Sequence, residues 1–240
     1  MPFFSADTTT PPPARPAPSG TIRGEEGDPI DDTPLAPPDP SKFVVSGYPE
    51  LPDNEADGAT AYDLMVAGQA YPLDDPEIDL YHRHAADHCR TLSNAPADGP
   101  ERLALIYTLF DVSGEDIRVE PPLAVAFGRH ITTGERVQIG PGCRLMDFAP
   151  IVIGDQTVLG CEVLIQTQML PMNPAQRAER MAKAAPVEIG EDCWIGDRVT
   201  VYPGVRIGDG TTVAAGSVVT SSLPAGVLAA GNPCKVVREL

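Results

Sequence analysis

From Val187 onward the chain repeats itself every six residues. The hexads "VEIGED", "CWIGDR", "VTVYPG", "VRIGDG", "TTVAAG" and "SVVTSS" space Ile189, Ile195, Val201, Ile207, Val213 and Val219 by six without a slip. A helix needs apolar residues every 3.6 positions, and a half-buried strand every second one. A strict six, with one aliphatic and one small residue per repeat, fits neither. It predicts short strands joined by tight turns and wound into a coil. Three hexads make a triangular turn of about 18 residues. The aliphatic side chain points into a narrow core, and the small residue lets the backbone bend. Each coil covers the core of the next, so stability adds along the stack. Earlier in the chain the same positions fall on Ile139, Ile153 and Leu159. One extra residue in "MDFAPIVIG" reads there as a bulge or corner adjustment.

Before the coil, residues 59–112 carry a helical pattern. "TAYDLMVAGQ" is a short helix ending at Gly68. "DPEIDLYHRHAADHCRTLSNA" places Ile78, Tyr81, Ala85, His88 or Cys89, and Leu92 on one stripe, with Asp75 as cap and Pro76 in the first turn. "GPERLALIYTLF" places Leu103, Ile106, Leu109 and Phe110 on another. Residues 1–42 are rich in proline and acid and too poor in apolar side chains to offset ordering entropy; disorder is expected. Residues 43–58 read as an arm or linker. Residues 113–240 are the coil, interrupted by an inserted loop over 166–185, within which "NPAQRAERMAKAA" has the composition of a helical turn.

A formal net charge of -17 argues against nucleic acid and anionic membranes as partners. No apolar run reaches the roughly 18 residues of a membrane span, and "MPFFSADTTT" lacks the basic start of a secretory signal. Five cysteines with no C-x-x-C pair read as small buried hydrophobes of a reducing, cytoplasmic compartment. His84 and His88 have i, i+4 spacing, but no third ligand accompanies them, so no metal site is expected.

The coil, together with "AGQAYPLDDPEI", "RTLSNAPADGPERLALIYTLF", "VEPPLAVAFGRHITTG", "CRLMDFAPIVIGD" and "AAGSVVTSSLPAGVLAAGNPCKVVREL", resembles the maltose/galactoside O-acetyltransferase family of hexapeptide-repeat proteins. The resemblance runs from about Ala61 to the C-terminus. It implies a mainly β fold: a left-handed parallel β-helix behind an N-terminal helical segment. It implies a homotrimer that binds acetyl-CoA in grooves between subunits. In that family a loop histidine deprotonates an acceptor hydroxyl, which attacks the thioester.

Carried over position by position, the histidine falls on Leu170, within Thr167–Gln168–Met169–Leu170–Pro171. The family's paired asparagines become Gly140 and Gly142. Its polar residue after the "EPP" stretch becomes Ala126, beside the aromatic Phe127. Asp147, Glu120 and Thr167 keep their identities. No histidine follows His130, so sliding the loop register does not restore a base. Every change runs from polar to apolar. A sugar site losing these groups forfeits roughly 1 kcal/mol or more per hydrogen bond, and loss of a general base costs about a hundred- to ten-thousand-fold in rate.

Asp147 is then the first catalytic candidate, its pKa raised by apolar neighbours such as Leu170, Met169 and Phe148. His130 is the second, although a packed or solvated histidine explains it better. Gln166 and Gln168 remain as hydrogen-bonding groups for a ligand. The acyl-CoA side is better kept, at Trp194, Ala214, Ala215, Ser217, Thr220, Lys235 and Arg238; coil architecture accounts for the two alanines equally well, and tail charge for the lysine and arginine. Three readings follow. In the first the pocket is rebuilt for a less polar small molecule, with conventional acetyl transfer weak or absent. In the second the chain is a CoA-dependent O-acyltransferase of a non-sugar acceptor, using Asp147 or His130 as substitute base. In the third it is a non-catalytic binding or structural trimer.

Overall fold

The computed structural model describes residues 58–97, 99–112 and 114–240. The tail expected over 1–42 and the arm expected over 43–58, apart from Gly58, lie outside the described residues.

The hexads fold as a parallel β-helix of three faces. The first face stacks Asp111–Val112, Ile131–Thr133, Ile151–Ile153, Val187–Ile189 and Arg206–Ile207. The second stacks Arg118–Val119, Gln138–Ile139, Val158–Leu159, Trp194–Ile195 and Thr212–Val213. It continues with Val227–Gly231, against which Cys234–Glu239 returns antiparallel. The third stacks Ala124–Val125, Arg144–Met146, Leu164–Gln166, Thr200–Val201 and Val218–Val219. The chain visits the faces in that order, coil after coil. Ile139, Ile153, Leu159 and the six-spaced Ile189, Ile195, Val201, Ile207, Val213 and Val219 are buried inside.

The turns hold the coils in register. Asp155 and Asp209, between the first and second faces, and Asp197, between the second and third, reach the neighbouring coil, where their Oδ1 atoms accept from the backbone N–H groups of Glu135, Glu191 and Cys161 at 2.8–2.9 Å. The glycine before each donating N–H leaves room for that carboxylate. A Cβ on Gly190 would stand 2.0 Å from Asp209 Oδ1.

The corner from the third face to the first is wider than the hexad rhythm allows. Val201 to Ile207 spans six residues, but their partners two coils earlier, Leu145 and Ile153, are eight apart, as are Val125 and Thr133. The sequence suggested one extra residue; there are two. The first two wide corners carry Ala126–His130 and Asp147–Pro150, and the third is drawn out into the inserted segment.

That segment is a hairpin more than a loop. Gln168–Met169 pairs antiparallel with Met181–Ala184, whose other edge takes Tyr71–Pro72. Asp74 and Arg180 form an ion pair beside it. A short helix follows an Asn173 cap within the hairpin, Pro174–Ala178.

Three further helices precede the coil: α1, Ala61–Val66, α2, Pro76–Asn94, and α3, Pro100–Leu109. Thr60 and Asp63 close a capping box on α1. Asp75 Oδ1 accepts from the backbone of Glu77 and Ile78 to start α2. Helix α2 buries Ile78, Tyr81, Ala85, Cys89 and Leu92, so Cys89 takes the place shared with His88. The stripe on α3 is narrower than expected: Ile106 and Leu109 are buried, with Phe110 just after the helix, but Leu103 is 43% exposed. Beyond the coil interior a second apolar cluster forms where α1, α2 and the hairpin meet the wide corners. It contains Tyr62, Met65, Tyr71, Ile78 and Tyr81 on one side and Ala126, Phe127, Phe148 and Ala149 on the other.

Candidate functional site

The wide corners bring five of the sequence-assigned residues together: Ala126, Phe127, His130, Asp147 and Phe148. Asp147 is wholly buried. Its Oδ1 accepts from the backbone N–H groups of Ala126 at 2.9 Å and Phe127 at 2.8 Å, and its Oδ2 from that of His130 at 3.2 Å. The carboxylate thus ties one wide corner to the one above it. Burial pushes its pKa up to about 7, against the backbone N–H donors that pull it down.

His130 is 2% exposed and engaged on both ring nitrogens. Nδ1 lies 2.7 Å from the Asp147 carbonyl oxygen, which only accepts, so the proton sits on Nδ1. Nε2, 2.6 Å from the Tyr62 hydroxyl, is then the acceptor of that O–H. Burial lowers the His130 pKa to about 4 and keeps the ring neutral. Both expected bases therefore hold the corner together. Neither presents a free acceptor to a ligand: the carboxylate is enclosed by backbone donors, and the imidazole by a phenol and a carbonyl.

The rings around them form one continuous cluster. Phe127 and Phe148 meet edge to face at 5.6 Å between centroids, and Phe127 lies 5.8 Å from Tyr62 and 5.1 Å from His130. His82 of α2, 4.7 Å from Phe127 and 5.1 Å from Phe148, completes it. The sequence offered a signal for His82 and Tyr62. His82 follows Ile78 by four and precedes Ala85 and Cys89 by three and seven, so the buried stripe passes through it. Tyr62 lies on the short helical pattern after Thr60. Which corner these would face was not readable, because that depends on the packing of α1 and α2 against a coil far along the chain.

The hairpin residues are partly engaged. Thr167 Oγ1 donates to the Met146 carbonyl at 2.6 Å and accepts from Ala149 N–H at 3.0 Å, fixing where the hairpin leaves the coil. Gln168 Nε2 donates to the Tyr71 hydroxyl at 2.8 Å. The Gln166 amide points back to the Gln168 carbonyl. Met169 and Leu170 lie on the exposed side, Leu170 51% so.

Gly140 and Gly142 are not part of this corner. They turn the chain from the second face to the third, where a Cβ on Gly140 would stand 2.7 Å from the Gly160 carbonyl oxygen. Gly142 takes a φ of 78°. Glycine at 140 thus has a stacking reason, independent of any ligand.

The residues assigned to acyl-CoA sit away from Asp147. Trp194 projects from the second face, 59% exposed. Ala214 and Ala215 turn from the second face to the third, and Thr220 lies just beyond the third. Lys235 and Arg238 are exposed on the final antiparallel strand. Ser217 is buried; its Oγ donates to the Ala214 carbonyl at 2.6 Å and accepts from Gly231 N–H at 3.1 Å, which makes it a fastening of the coil. A groove of about 970 Å3 lies between α3 and Ile117–Pro121, and none of the assigned residues except Glu120 lines it.

His88 donates from Nε2 to the Leu105 carbonyl at 3.0 Å. Among the described residues no three histidine, cysteine, aspartate or glutamate side chains cluster as a metal site, and no helix is long and apolar enough to cross a membrane.

Residues 186–221 match the bacterial transferase hexapeptide (six repeats) family. The galactoside O-acetyltransferase of Escherichia coli (strain K12) is 34% identical over 145 residues, 60% of this chain and 71% of that protein. The structure of a maltose O-acetyltransferase from Clostridium difficile 630 superposes with a TM-score of 0.73 at 31% identity, covering 77% of this chain and 99% of that one. A hexapeptide-repeat acetyltransferase of Vibrio cholerae, solved in complex with acetyl coenzyme A, gives 0.70 at 30% identity over 76% and 99%. These relatives, matched over most of their length, place this chain in the hexapeptide-repeat acetyltransferase family to which the galactoside and maltose O-acetyltransferases belong.

Proposed function

We propose that this chain is a CoA-dependent O-acyltransferase whose acceptor is a less polar small molecule than a sugar. The observation that carries the reading is the composition of the wide corner. Phe127, Phe148 and Ala126 share one apolar cluster with Tyr62, Tyr71 and Tyr81 at the corner that buries Asp147, where a polyol would need many fixed donors and acceptors. Relatives that bind acetyl-CoA support the acyl-transfer half of the reading, as do the exposed Trp194 and the small residues Ala214 and Ala215 on the donor side. Leu170 at the family's histidine position argues that sugar acetylation by the usual mechanism is weak or absent.

The donor and acceptor regions occupy different edges of one chain. A homotrimer that sets the donor edge of one subunit against the acceptor corner of the next would unite them, and the reading includes that assembly.

The test is a thiol-release assay with acetyl-CoA, offering sugars and then apolar alcohols. Release with alcohols and little with sugars is expected; robust release with a sugar refutes the choice of acceptor. Calorimetry with CoA bears on the donor: no heat of binding at millimolar CoA would leave a non-catalytic trimer as the better account.

A further inference from the structure

Three of the four histidines have their places explained. His84 is exposed on α2. His88 donates to the Leu105 carbonyl. His130 is held on both nitrogens. His82 is different: its Nε2 is buried and has no hydrogen-bond partner among the described residues, while its ring rests against Phe127 and Phe148. A buried polar atom without a partner costs about 1–3 kcal/mol. A phenylalanine would pack on the two phenyl rings as well without that cost. The nitrogen therefore calls for a role that packing does not supply.

We propose that His82 takes the proton from the acceptor hydroxyl, so that the base stands on α2 where the family has it in the loop; this rests on the acyl-transfer reading above. The acceptor's O–H proton passes to His82 Nε2 as its oxygen bonds to the carbonyl carbon of the acyl-CoA thioester. The C–S bond breaks, and the imidazolium returns the proton to the departing CoA thiolate. The products are an ester and free CoA thiol, with His82 restored. Burial lowers the His82 pKa, with Asp79 on the same helix opposing, so the ring is neutral at pH 7 and able to accept. From the packed corner, the Asp147 carboxylate is enclosed by backbone donors and His130 is held on both ring nitrogens, so neither competes for the proton. The phenyl rings against the His82 imidazole favour an alcohol with an aromatic or aliphatic body over a polyol.

The test uses the full chain, acetyl-CoA and benzyl alcohol. His82→Gln should lower kcat by about a hundredfold or more, with CoA affinity by calorimetry and melting temperature close to the parent's. Added imidazole should restore transfer by His82→Ala, a rescue that a purely structural role does not predict. Parental kcat in a folded His82→Gln overturns the proposal and leaves the acyl-transfer reading standing. If the parent transfers acetyl to no alcohol, it is that reading which fails, and contact at His82 is then judged alone. Benzyl alcohol should shift the His82 Cε1–H resonance while sparing that of His130; an unmoved His82 signal overturns the proposal even so, and the same measurement decides if the variants do not fold.

Discussion

His130 offers both ring nitrogens to fixed partners, and this decides how its corner responds to acid. Its pKa in the folded protein is about 4, against the ordinary value of 6.5. Between these the unfolded chain binds a proton that the folded chain refuses, so His130 stabilises the fold above pH 6.5 and loses that contribution as pH falls toward 4. Asp147, raised to about 7 from 3.8, acts with the opposite sign: the folded chain holds the extra proton, and stability declines as pH rises from about 4 to about 7. The two slopes offset each other in the parent. In His130→Gln only the second remains. The stability difference between parent and variant should therefore grow with pH from 4 to 6.5, by at most about 1.4 kcal/mol per pH unit, when melts are recorded across that range. Tyr62→Phe keeps the ring and deletes the hydroxyl that donates to Nε2; about 1–3 kcal/mol of stability should go with it, read by denaturant titration. None of this chain of bonds was legible in the sequence. Asp147 stood out by resemblance and His130 as the last histidine in the chain, but their burial depends on α1 covering the corner, and nothing local to either residue encodes that.

Among elements, the coil was readable because its period is a property of the chain alone. One aliphatic per six residues fixes strand, turn and inward face together, and Ile189 through Val219 all land inside. Glycines at the turns were readable as bends, but the reason for Gly190 was not, since the atom it avoids belongs to the next coil. Gly190→Ala drives a Cβ into Asp209 Oδ1, which is itself fixed by Glu191 N–H. A loss of about 2–4 kcal/mol is expected, visible as a lowered melting temperature. The hairpin was missed for a different reason. Gln168–Met169 and Met181–Ala184 are short, and the strand that completes their sheet, Tyr71–Pro72, lies about a hundred residues earlier. Non-local pairing of this kind leaves little periodicity to detect. Tyr71 is the joint: its ring is buried and its hydroxyl accepts from Gln168. Tyr71→Ala should cost about 3–5 kcal/mol if the site does not collapse. Amide exchange of Met181 and Ala182 should accelerate well beyond that of the coil strands, because these two residues pair with Tyr71–Pro72.

At the scale of the whole molecule, the placement of the two half-sites leads to a prediction about mixed assemblies. The proposed donor side is marked by Trp194 and Ala215, on the second face and its turn toward the third, and the proposed acceptor side by His82 and the wide corners, where the third face turns to the first. If a working site joins the donor edge of one subunit to the acceptor corner of its neighbour, two chains defective at different edges complement each other. Ala215→Arg adds bulk at an exposed turn and blocks the donor edge without touching the core; His82→Gln disables the acceptor corner. Each alone should be inactive in benzyl alcohol acetylation. Unfolded together and refolded as an equal mixture, they should recover about a quarter of parental activity, since in a cyclic trimer with random assortment that fraction of interfaces pairs an intact donor edge with an intact acceptor corner. Sites built within a single chain would give no recovery, because every chain in the mixture carries one defect. Sedimentation of the refolded mixture separates that outcome from a failure to assemble: trimers without activity would refute the shared site, and monomers would refute the trimer.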